Sequence, residues 1–237
     1  MNAPQTPDSP LLAYERALAG GFVADAAQRR AVEALQHCHE AVHRGEQTPG
    51  VYLWGPVGRG KTWLMDSFYN SLRVPARRQH FHHFMQWVHR RQFQLTGNAD
   101  PLRLLAEELG REVRVLCFDE LFVSDIGDAM LLGRLLSLVV AQGVVLVATS
   151  NQPPDQLYAD GYNRERFLPA IAALKAHMQV VTVDGEQDHR LHPGAQVRRY
   201  WVQQPQVLAE QFARLSERQV ISREPVELSH RRIDALG

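Results

Sequence analysis

Short apolar segments alternate along the chain with longer segments in which apolar residues recur every three or four positions. The longer segments predict amphipathic helices, and the short ones predict strands. Strands are expected at residues 51–54, 79–84, 113–118, 144–149 and 179–183. Helices are expected at residues 11–19, 25–44, 63–69, 84–95, 126–140, 163–177 and 205–218, and from Pro101 to just before Gly110. This alternation predicts an α/β fold with a doubly wound parallel sheet of five strands.

Residues at the ends of two predicted helices support these positions. Asp25 can cap the helix that begins there, because its carboxylate can accept from free backbone N–H groups. Pro101 suits a first helical turn, and Gly110 suits the position just past a helix end. The first ten residues are polar and rich in proline, and we expect them to be disordered.

Charge and cysteine content argue against several classes of protein. The 26 Lys and Arg residues balance 26 Asp and Glu residues, so a strongly basic nucleic-acid-binding surface is not expected. Adjacent arginines such as Arg77 and Arg78 are interpreted as solvated. Two cysteines give no disulfide framework, and no apolar run is long enough for a membrane span. We therefore expect a cytoplasmic protein whose main partner is not a nucleic acid.

A phosphate-binding loop follows the first predicted strand. The motif G-x-x-x-x-G-K-[ST] is matched by Gly55-Pro56-Val57-Gly58-Arg59-Gly60-Lys61-Thr62. The predicted strand before it and helix after it supply the context that the motif needs. Glycines let backbone N–H groups curl around phosphate oxygens, and the helix N-terminus adds partial positive charge. Lys61 would reach the β- and γ-phosphates, and the Thr62 hydroxyl would bind Mg²⁺.

The use of lysine strengthens this interpretation. Lys61 and Lys175 are the only lysines in a chain that otherwise uses arginine for its cations. A compact, flexible ammonium contacts phosphate in a way that a guanidinium does not reproduce. The lysine of the loop is therefore not an incidental surface cation.

An acidic pair ends the strand predicted at residues 113–118. Asp119 would complete the Mg²⁺ shell, and Glu120 could polarise an attacking water. Alone, such a pair is more typical of a solvated turn, but the loop upstream favours nucleotide hydrolysis. The chain lacks the Asn-Lys-x-Asp sequence with which small GTPases recognise guanine, so ATP is the expected nucleotide.

Asn151 follows the strand predicted at residues 144–149. Open α/β sheets bind ligands at the C-terminal ends of their strands. Asn151 could therefore orient the attacking water or contact the γ-phosphate. The alternative is an asparagine in an ordinary turn after a strand.

Several blocks, in order, resemble the AFG-one-like ATPases, a family with bacterial cell-division and mitochondrial members. They lie at residues 53–66, 80–85, 123–130, 149–151, 157–169 and 183–190. The resemblance implies an AAA+-like P-loop ATPase core. We expect the chain to comprise a disordered N-terminus (1–10), a helical segment (11–50), the core (51–200), and a C-terminal helix with a truncated tail (201–237).

The resemblance also implies roles for single residues. Lys61 and Thr62 would form the Walker A pair, Asp119 and Glu120 the Walker B pair, and Asn151 sensor 1. Two further assignments concern residues outside these motifs. Arg164 would act on the nucleotide of a neighbouring copy, with Arg166 as the alternative, and Gln28 would contact adenine.

Family members usually continue past the position of Arg232 into a helical lid, whereas this sequence ends at Gly237. The resemblance therefore implies that the lid is missing. Three hypotheses stay open: an ATP-hydrolysing protein that couples nucleotide state to a protein partner, a non-hydrolysing ATP-dependent switch or scaffold, and a DNA-associated ATPase of the helicase-loader type. For the first, the resemblance implies a division-ring component as partner and a homo-oligomer as one possible assembly.

Histidines and cysteines suggest weaker candidates. His37, Cys38, His39 and His43 cluster on a predicted helix, where zinc binding is the alternative to a solvated face. His80, His82 and His83 fall in a predicted strand and are interpreted as polar residues of the sheet. Cys117 is expected to pack in the core.

Overall fold

Five parallel strands form the centre of the molecule, in the order β2-β3-β4-β1-β5. The computed structural model describes residues 8–185 and the backbone of residues 226–228 and 231–233. The strands of the sheet are β1 (Gly50–Trp54), β2 (Ala76–His80), β3 (Val115–Asp119), β4 (Val145–Ser150) and β5 (Met178–Thr182). The helices are α1 (Pro10–Ala19), α2 (Ala26–His43), α3 (Lys61–Ser71), α4 (Phe81–Gln94), α5 (Pro101–Glu112), α6 (Ile126–Ala141) and α7 (Leu168–His177). The predicted doubly wound α/β fold is confirmed.

Alternate residues of each strand face two helical layers. Tyr52 and Phe118 lie in the hydrophobic cluster formed with α4 to α7. Leu53 and Cys117, one residue away in each strand, lie in the cluster formed with α1 to α3. Because both faces of the sheet are covered, the central strands are apolar on both sides, as parallel strands generally are.

Two predicted helix starts are confirmed by their caps. Oδ1 of Asp25 accepts from the backbone N–H of Ala27 at 2.7 Å, and α2 begins at the next residue. Oδ1 of Asp100 accepts from the N–H of Arg103 at 3.2 Å, and Pro101 is the first residue of α5. In each case the carboxylate satisfies an N–H group that has no partner within the helix.

The strand predicted at residues 79–84 was misplaced. β2 ends at His80, and Phe81 begins α4, so His82 and His83 lie on a helix. The buried residues that follow recur at helical spacing: Phe81, Phe84, Met85 and Val88. β2 itself is polar because it lies at the edge of the sheet, and its sequence carried no apolar signal.

Two helix bounds also differ from the prediction. Gly110 was expected just past the end of a helix, but it lies inside α5. A Cβ atom at this position would come within 2.6 Å of the Cβ of Gln142, so the glycine permits close packing against the end of α6. Asn163 has a positive φ of 54°, and α7 begins only at Leu168.

The chain divides into two compact units, residues 1–190 and residues 191–237. In the second, β6 (Val226–Leu228) and β7 (Arg231–Ile233) pair antiparallel. The helix predicted at residues 205–218 lies outside the described residues, as do residues 1–7 of the segment 1–10 that was predicted to be disordered. The end of that segment was predicted wrongly, because the Ser9 side chain caps α1 and Pro10 is its first residue. In the described part of the chain, no helix is both long and apolar enough to cross a membrane.

Candidate nucleotide-binding site

Residues 55–60 connect β1 to α3 as a loop that depends on its glycines, and Lys61 and Thr62 of the motif begin the helix. A Cβ atom on Gly55 would lie 2.1 Å from the carbonyl oxygen of Val183. Gly60, the residue before α3, has a φ of 81°, a left-handed conformation that favours glycine. The loop therefore passes close to the residue that follows β5 and then turns directly into the N-terminus of α3.

Lys61 points back across this loop. Its Nζ atom donates to the carbonyl oxygens of Gly55 at 2.6 Å and Pro56 at 2.8 Å, and to Oδ1 of Asn151 at 3.0 Å. The residue is only 7% exposed. Burial lowers the pKa of this ammonium, with the Glu120 carboxylate opposing the shift and Arg59 adding to it.

Asp119 and Thr62 bring oxygen atoms together at the end of β3. The Thr62 hydroxyl lies 3.5 Å from Oδ1 of Asp119, which also accepts from the Thr149 hydroxyl at 2.9 Å. Asp119 is buried. Carboxylate and hydroxyl oxygens are the hard ligands that Mg²⁺ prefers, and one or two protein ligands beside substrate phosphates are its usual share. Thr62 and Asp119 thus fit a magnesium ion.

Arg78 is part of this site, although the sequence placed it on a solvated face. Its Nη2 atom lies 2.9 Å from Oδ2 of Asp119 and 2.8 Å from Oδ1 of Asp66 on α3. The arginine reaches Asp119 because β2 and β3 are neighbouring parallel strands in which Arg78 pairs with Cys117. The interpretation of Arg78 as solvated was wrong, since its side chain is mostly buried at 29% exposure.

Glu120 follows Asp119 in a left-handed conformation with a φ of 53°. Its backbone N–H donates to the Thr149 hydroxyl at 3.1 Å. Its carboxylate is exposed, and Oε2 lies 4.0 Å from Nδ1 of His80. A non-glycine residue held at positive φ is strained, and such residues cluster at functional sites.

Lys61, Thr62, Glu120 and Asn151 line one cavity of about 450 Å³, and Asp119 and Arg78 lie behind its lining. Its lining combines the loop and the ends of β3 and β4 with two aromatic residues, Phe22 and Trp63. The two rings stack with centroids 5.8 Å apart and planes at 23°. Sequence reasoning missed this aromatic wall. Phe22 lies in the connection between two helices, and only the fold brings it to the loop.

Gln28 is fully buried behind the phosphate-binding loop. Its Nε2 atom donates to the carbonyl oxygen of Arg59 at 2.9 Å, and its Oε1 atom has no hydrogen-bond partner among the described residues. Gln28 does not appear in the lining of the cavity. It therefore braces the loop from behind in this structure.

Arg164 and Arg166 lie outside the cavity, in a 3-10 turn before α7. Nη2 of Arg164 donates to the carbonyl oxygen of Asp155 at 2.6 Å. Arg166 is exposed. The fold therefore does not bring either guanidinium to the nucleotide pocket of its own chain.

The histidine clusters gather no metal site. Within residues 8–185, no group of three or more His, Cys, Asp or Glu side chains is placed to hold an ion. The His39 and His43 rings on α2 lie with centroids 4.1 Å apart and planes tilted by 41°, and the Nε2 of His39 is 3.3 Å from the carbonyl oxygen of Ser71. Cys38 and Cys117 are free thiols buried in the core.

Solved structures with the same fold belong to P-loop NTPases. The crystal structure of DnaI superimposes with a TM-score of 0.51 at 18% identity, covering 70% of this chain and 89% of that one. AMPPCP-bound DnaA from Aquifex aeolicus gives a TM-score of 0.52 at 17% identity, covering 72% of this chain and 51% of that one. At these identities the likeness shows the fold alone.

Curated relatives are more similar in sequence. Cell division protein ZapE of Escherichia coli strain K12 is 57% identical over 143 residues, which are 60% of this chain and 38% of that protein. Lactation elevated protein 1 homolog B of Danio rerio is 40% identical over 153 residues, which are 60% of this chain and 30% of that protein. The chain thus matches well under half the length of these relatives.

One protein family matches almost the whole chain. The model of the family described as AFG1-like ATPase covers residues 8–236. This span includes the phosphate-binding loop, the Asp119–Glu120 pair and Asn151, which the fold gathers at one edge of the sheet. The chain therefore belongs to the AFG1-like ATPase family.

Proposed function

We propose that this protein binds ATP with Mg²⁺, hydrolyses it, and couples its nucleotide state to a protein partner. The observation that supports this most directly is the position of Lys61. Its ammonium lies between the carbonyl oxygens of the loop and the side chain of Asn151, where a γ-phosphate oxygen could replace one of its three acceptors. The N–H groups at the start of α3 would add partial positive charge for the other phosphates.

Thr62 and Asp119 would hold Mg²⁺, whose charge would offset that of the phosphates during transfer. Glu120 would orient the attacking water and accept its proton, since its carboxylate is free of the ion pair that occupies Asp119. General-base assistance of this kind contributes about 10²–10⁴ in rate. Asn151 would position the water or a γ-phosphate oxygen.

The base would lie on the aromatic wall of Phe22 and Trp63. Stacking on aromatic rings stabilises bases by about 1–3 kcal/mol each. Gln28 would support the base indirectly by holding the carbonyl oxygen of Arg59. Its Oε1 atom, which has no partner in the described part of the chain, is the acceptor that a small movement could present to the adenine amino group.

Arg164 would complete the site of a neighbouring copy. The support for this is that Arg164 does not line the cavity of its own chain. An arginine supplied to the phosphates of another subunit contributes about 10³–10⁵ in GTPase analogues. Activity would then require assembly.

The partner and location are further parts of the proposal. Because a bacterial relative carries the name cell division protein, we propose a protein of the division apparatus as partner and the cytoplasm as location. The balanced charge of the chain favours a protein over a nucleic acid.

Steady-state ATP hydrolysis, measured across protein concentrations, tests the activity, with Glu120→Gln as the blank. Specific activity that rises with concentration and is lost in the variant would support an assembling ATPase. Binding of ATP without turnover above the blank would favour the non-hydrolysing switch. DNA binding with a steep salt dependence would favour a helicase-loader role.

Mixing experiments test the arginine. Arg164→Ala and Glu120→Gln should each be inactive alone, and their mixture should regain activity at sites that combine an intact Glu120 with an intact Arg164. Arg166→Ala is the matched control, because it removes the same charge from the same turn. If Arg166→Ala is inactive alone and regains activity when mixed with Glu120→Gln, while Arg164→Ala stays active, the role belongs to Arg166.

A further inference from the structure

Both carboxylate oxygens of Asp119 are engaged by protein donors. Oδ1 accepts from the hydroxyls of Thr149 and Thr62, and Oδ2 accepts from Nη2 of Arg78. The carboxylate that would bind a metal ion therefore already carries a cation. An incoming ion has to compete with the guanidinium for the same negative charge.

Arg78 has a second acceptor within reach of the same nitrogen. Its Nη2 atom lies 2.8 Å from Oδ1 of Asp66 and 2.9 Å from Oδ2 of Asp119. Asp66 is on α3, which follows the phosphate-binding loop, and its side chain is 38% exposed against 8% for Asp119. A guanidinium that leaves Asp119 can thus stay paired with Asp66.

The guanidinium is not locked to either carboxylate. A single nitrogen makes both contacts, and Nε of Arg78 is buried without a hydrogen-bond partner among the described residues. Strong arginine–carboxylate pairs normally use two parallel N–H···O bonds. Arg78 is therefore shared between two carboxylates, and its Nε–H donor has no acceptor among the described residues.

We propose that Arg78 is a positioning residue that occupies Asp119 in the metal-free protein and passes to Asp66 when Asp119 binds Mg²⁺. The inference rests on the proposed function in that Thr62 and Asp119 are taken as the magnesium site. Arg78 acts through Asp119 and Asp66 and touches no reacting atom. It sets how readily the site accepts the ion, and Asp66 lowers the cost of releasing Asp119.

The test is a titration of the full chain with Mn²⁺ in place of Mg²⁺, followed by the electron paramagnetic resonance signal of the free ion. It is made without nucleotide and again with ADP. Arg78→Met should tighten Mn²⁺ binding about five-fold, because it removes a competing positive charge. Asp66→Asn should weaken binding about three-fold, because Arg78 then has only Asp119 as partner.

The double variant separates competition from simple charge. If Arg78 mediates the effect of Asp66, the double variant Arg78→Met/Asp66→Asn should differ from Arg78→Met alone by less than about two-fold in Mn²⁺ affinity. Arg78→Lys, which keeps the charge, should stay close to wild type. Arg77→Met is the matched control: it removes the same charge from the adjacent residue, whose guanidinium pairs with Glu112 at 2.9 Å, and it should leave Mn²⁺ binding unchanged.

Opposite shifts for Arg78→Met and Asp66→Asn exclude a purely structural role, which would weaken binding in both. Together with loss of the Asp66→Asn effect in the double variant, they support the proposal, and an Asp66→Asn effect that persists there overturns it. Weaker binding in Arg78→Met, or unchanged binding in Asp66→Asn, overturns it. If Arg78→Met does not fold, Asp66→Asn and Arg78→Lys decide by the same criteria. The titration without nucleotide keeps this inference separate from the proposed function, since it requires neither ATP binding nor turnover.

Discussion

Nζ of Lys61 lies 3.0 Å from Oδ1 of Asn151 and so joins the loop after β1 to the residue that follows β4. β1 and β4 are neighbouring parallel strands, with Trp54 paired to Ser150. The residues that come next in each strand therefore emerge side by side at the same edge of the sheet. Pairing of the strands thus fixes the distance between the Lys61 ammonium and the Asn151 amide.

Asn151→Ala should lower ATP turnover much more than ATP affinity. Three groups hold Lys61, and the backbone carbonyls would keep it in place after the amide is lost. Loss of one group that stabilises charge at the reacting phosphate typically costs about 10²-fold in turnover. Steady-state kinetics and equilibrium ATP binding measure the two quantities. Asn98→Ala, which removes an exposed amide that does not line the cavity, is the control. An equal loss of affinity and turnover would contradict the prediction.

Gly55→Ala should destabilise the fold as well as the site. The added Cβ would meet the carbonyl oxygen of Val183 at 2.1 Å, and that residue is fixed by its N–H, which donates to the carbonyl oxygen of Trp54 at 2.7 Å. We expect a loss of about 2–4 kcal/mol in the free energy of unfolding, measured with urea.

Gly97→Ala provides the control for Gly55. Gly97 has a φ of 97° but open space around its Cβ position, so the variant carries backbone strain alone. Its expected cost is about 1–2 kcal/mol. Equal losses in the two variants would mean that the backbone near Val183 moves aside.

Local chemistry explains why much of the site could be predicted. A phosphate-binding loop needs its glycines, lysine and threonine in one short segment, so Lys61 and Thr62 are recognisable without the fold. Asp119 ends one apolar strand and Asn151 follows another, and the ends of parallel strands meet at one edge of the sheet. Their proximity to the loop therefore followed from the order of the strands.

Arg78 and Phe22 could not be found in this way. Arg78 lies in a polar edge strand, where apolar periodicity gives no register, and its contact with Asp119 depends on that register. Phe22 reaches the cavity only because α1 and α2 pack beside α3. A contact between segments distant in sequence has no local signature. Knowledge of the register of β2 against β3 would have been needed to place Arg78 beside Asp119.

Phe22→Ala should weaken ATP binding about ten-fold, because it removes one ring of the proposed base platform. Binding of tripolyphosphate, which has no base, should stay within about two-fold of wild type, since the loop and Lys61 are untouched. Calorimetric titration with both ligands separates the two effects. Phe93→Ala, at an 81% exposed ring, is the matched control. Equal losses for ATP and tripolyphosphate would show that Phe22 supports the loop instead.

Cys38 and Cys117 should resist thiol reagents in the folded protein. They are 1% and 0% exposed. Burial raises the pKa of the Cys38 thiol to about 12, and burial also raises the pKa of Cys117. Because the thiolate is the reactive form, labelling by a disulfide reagent at pH 8 should be at least about 10²-fold slower than in urea. Rapid labelling of either thiol without denaturant would reveal local opening of the sheet.

His39 should make the stability of the protein depend on pH. Burial lowers the pKa of this imidazole below its usual 6.5, with His43 and Arg73 adding to the shift and the Ser71 carbonyl and Glu40 opposing it. A lowered pKa means that the unfolded chain binds the proton more tightly than the folded one. The contribution of His39 to the free energy of unfolding is therefore fully present above pH 6.5 and decreases as the pH falls through the lowered folded-state pKa.

Urea unfolding of wild type and His39→Gln from pH 8 to pH 5 measures this contribution as the difference between the two proteins. The advantage of wild type should shrink toward pH 5, because glutamine does not titrate, and an advantage that grows on acidification would show that the charged imidazolium is the stabilising form.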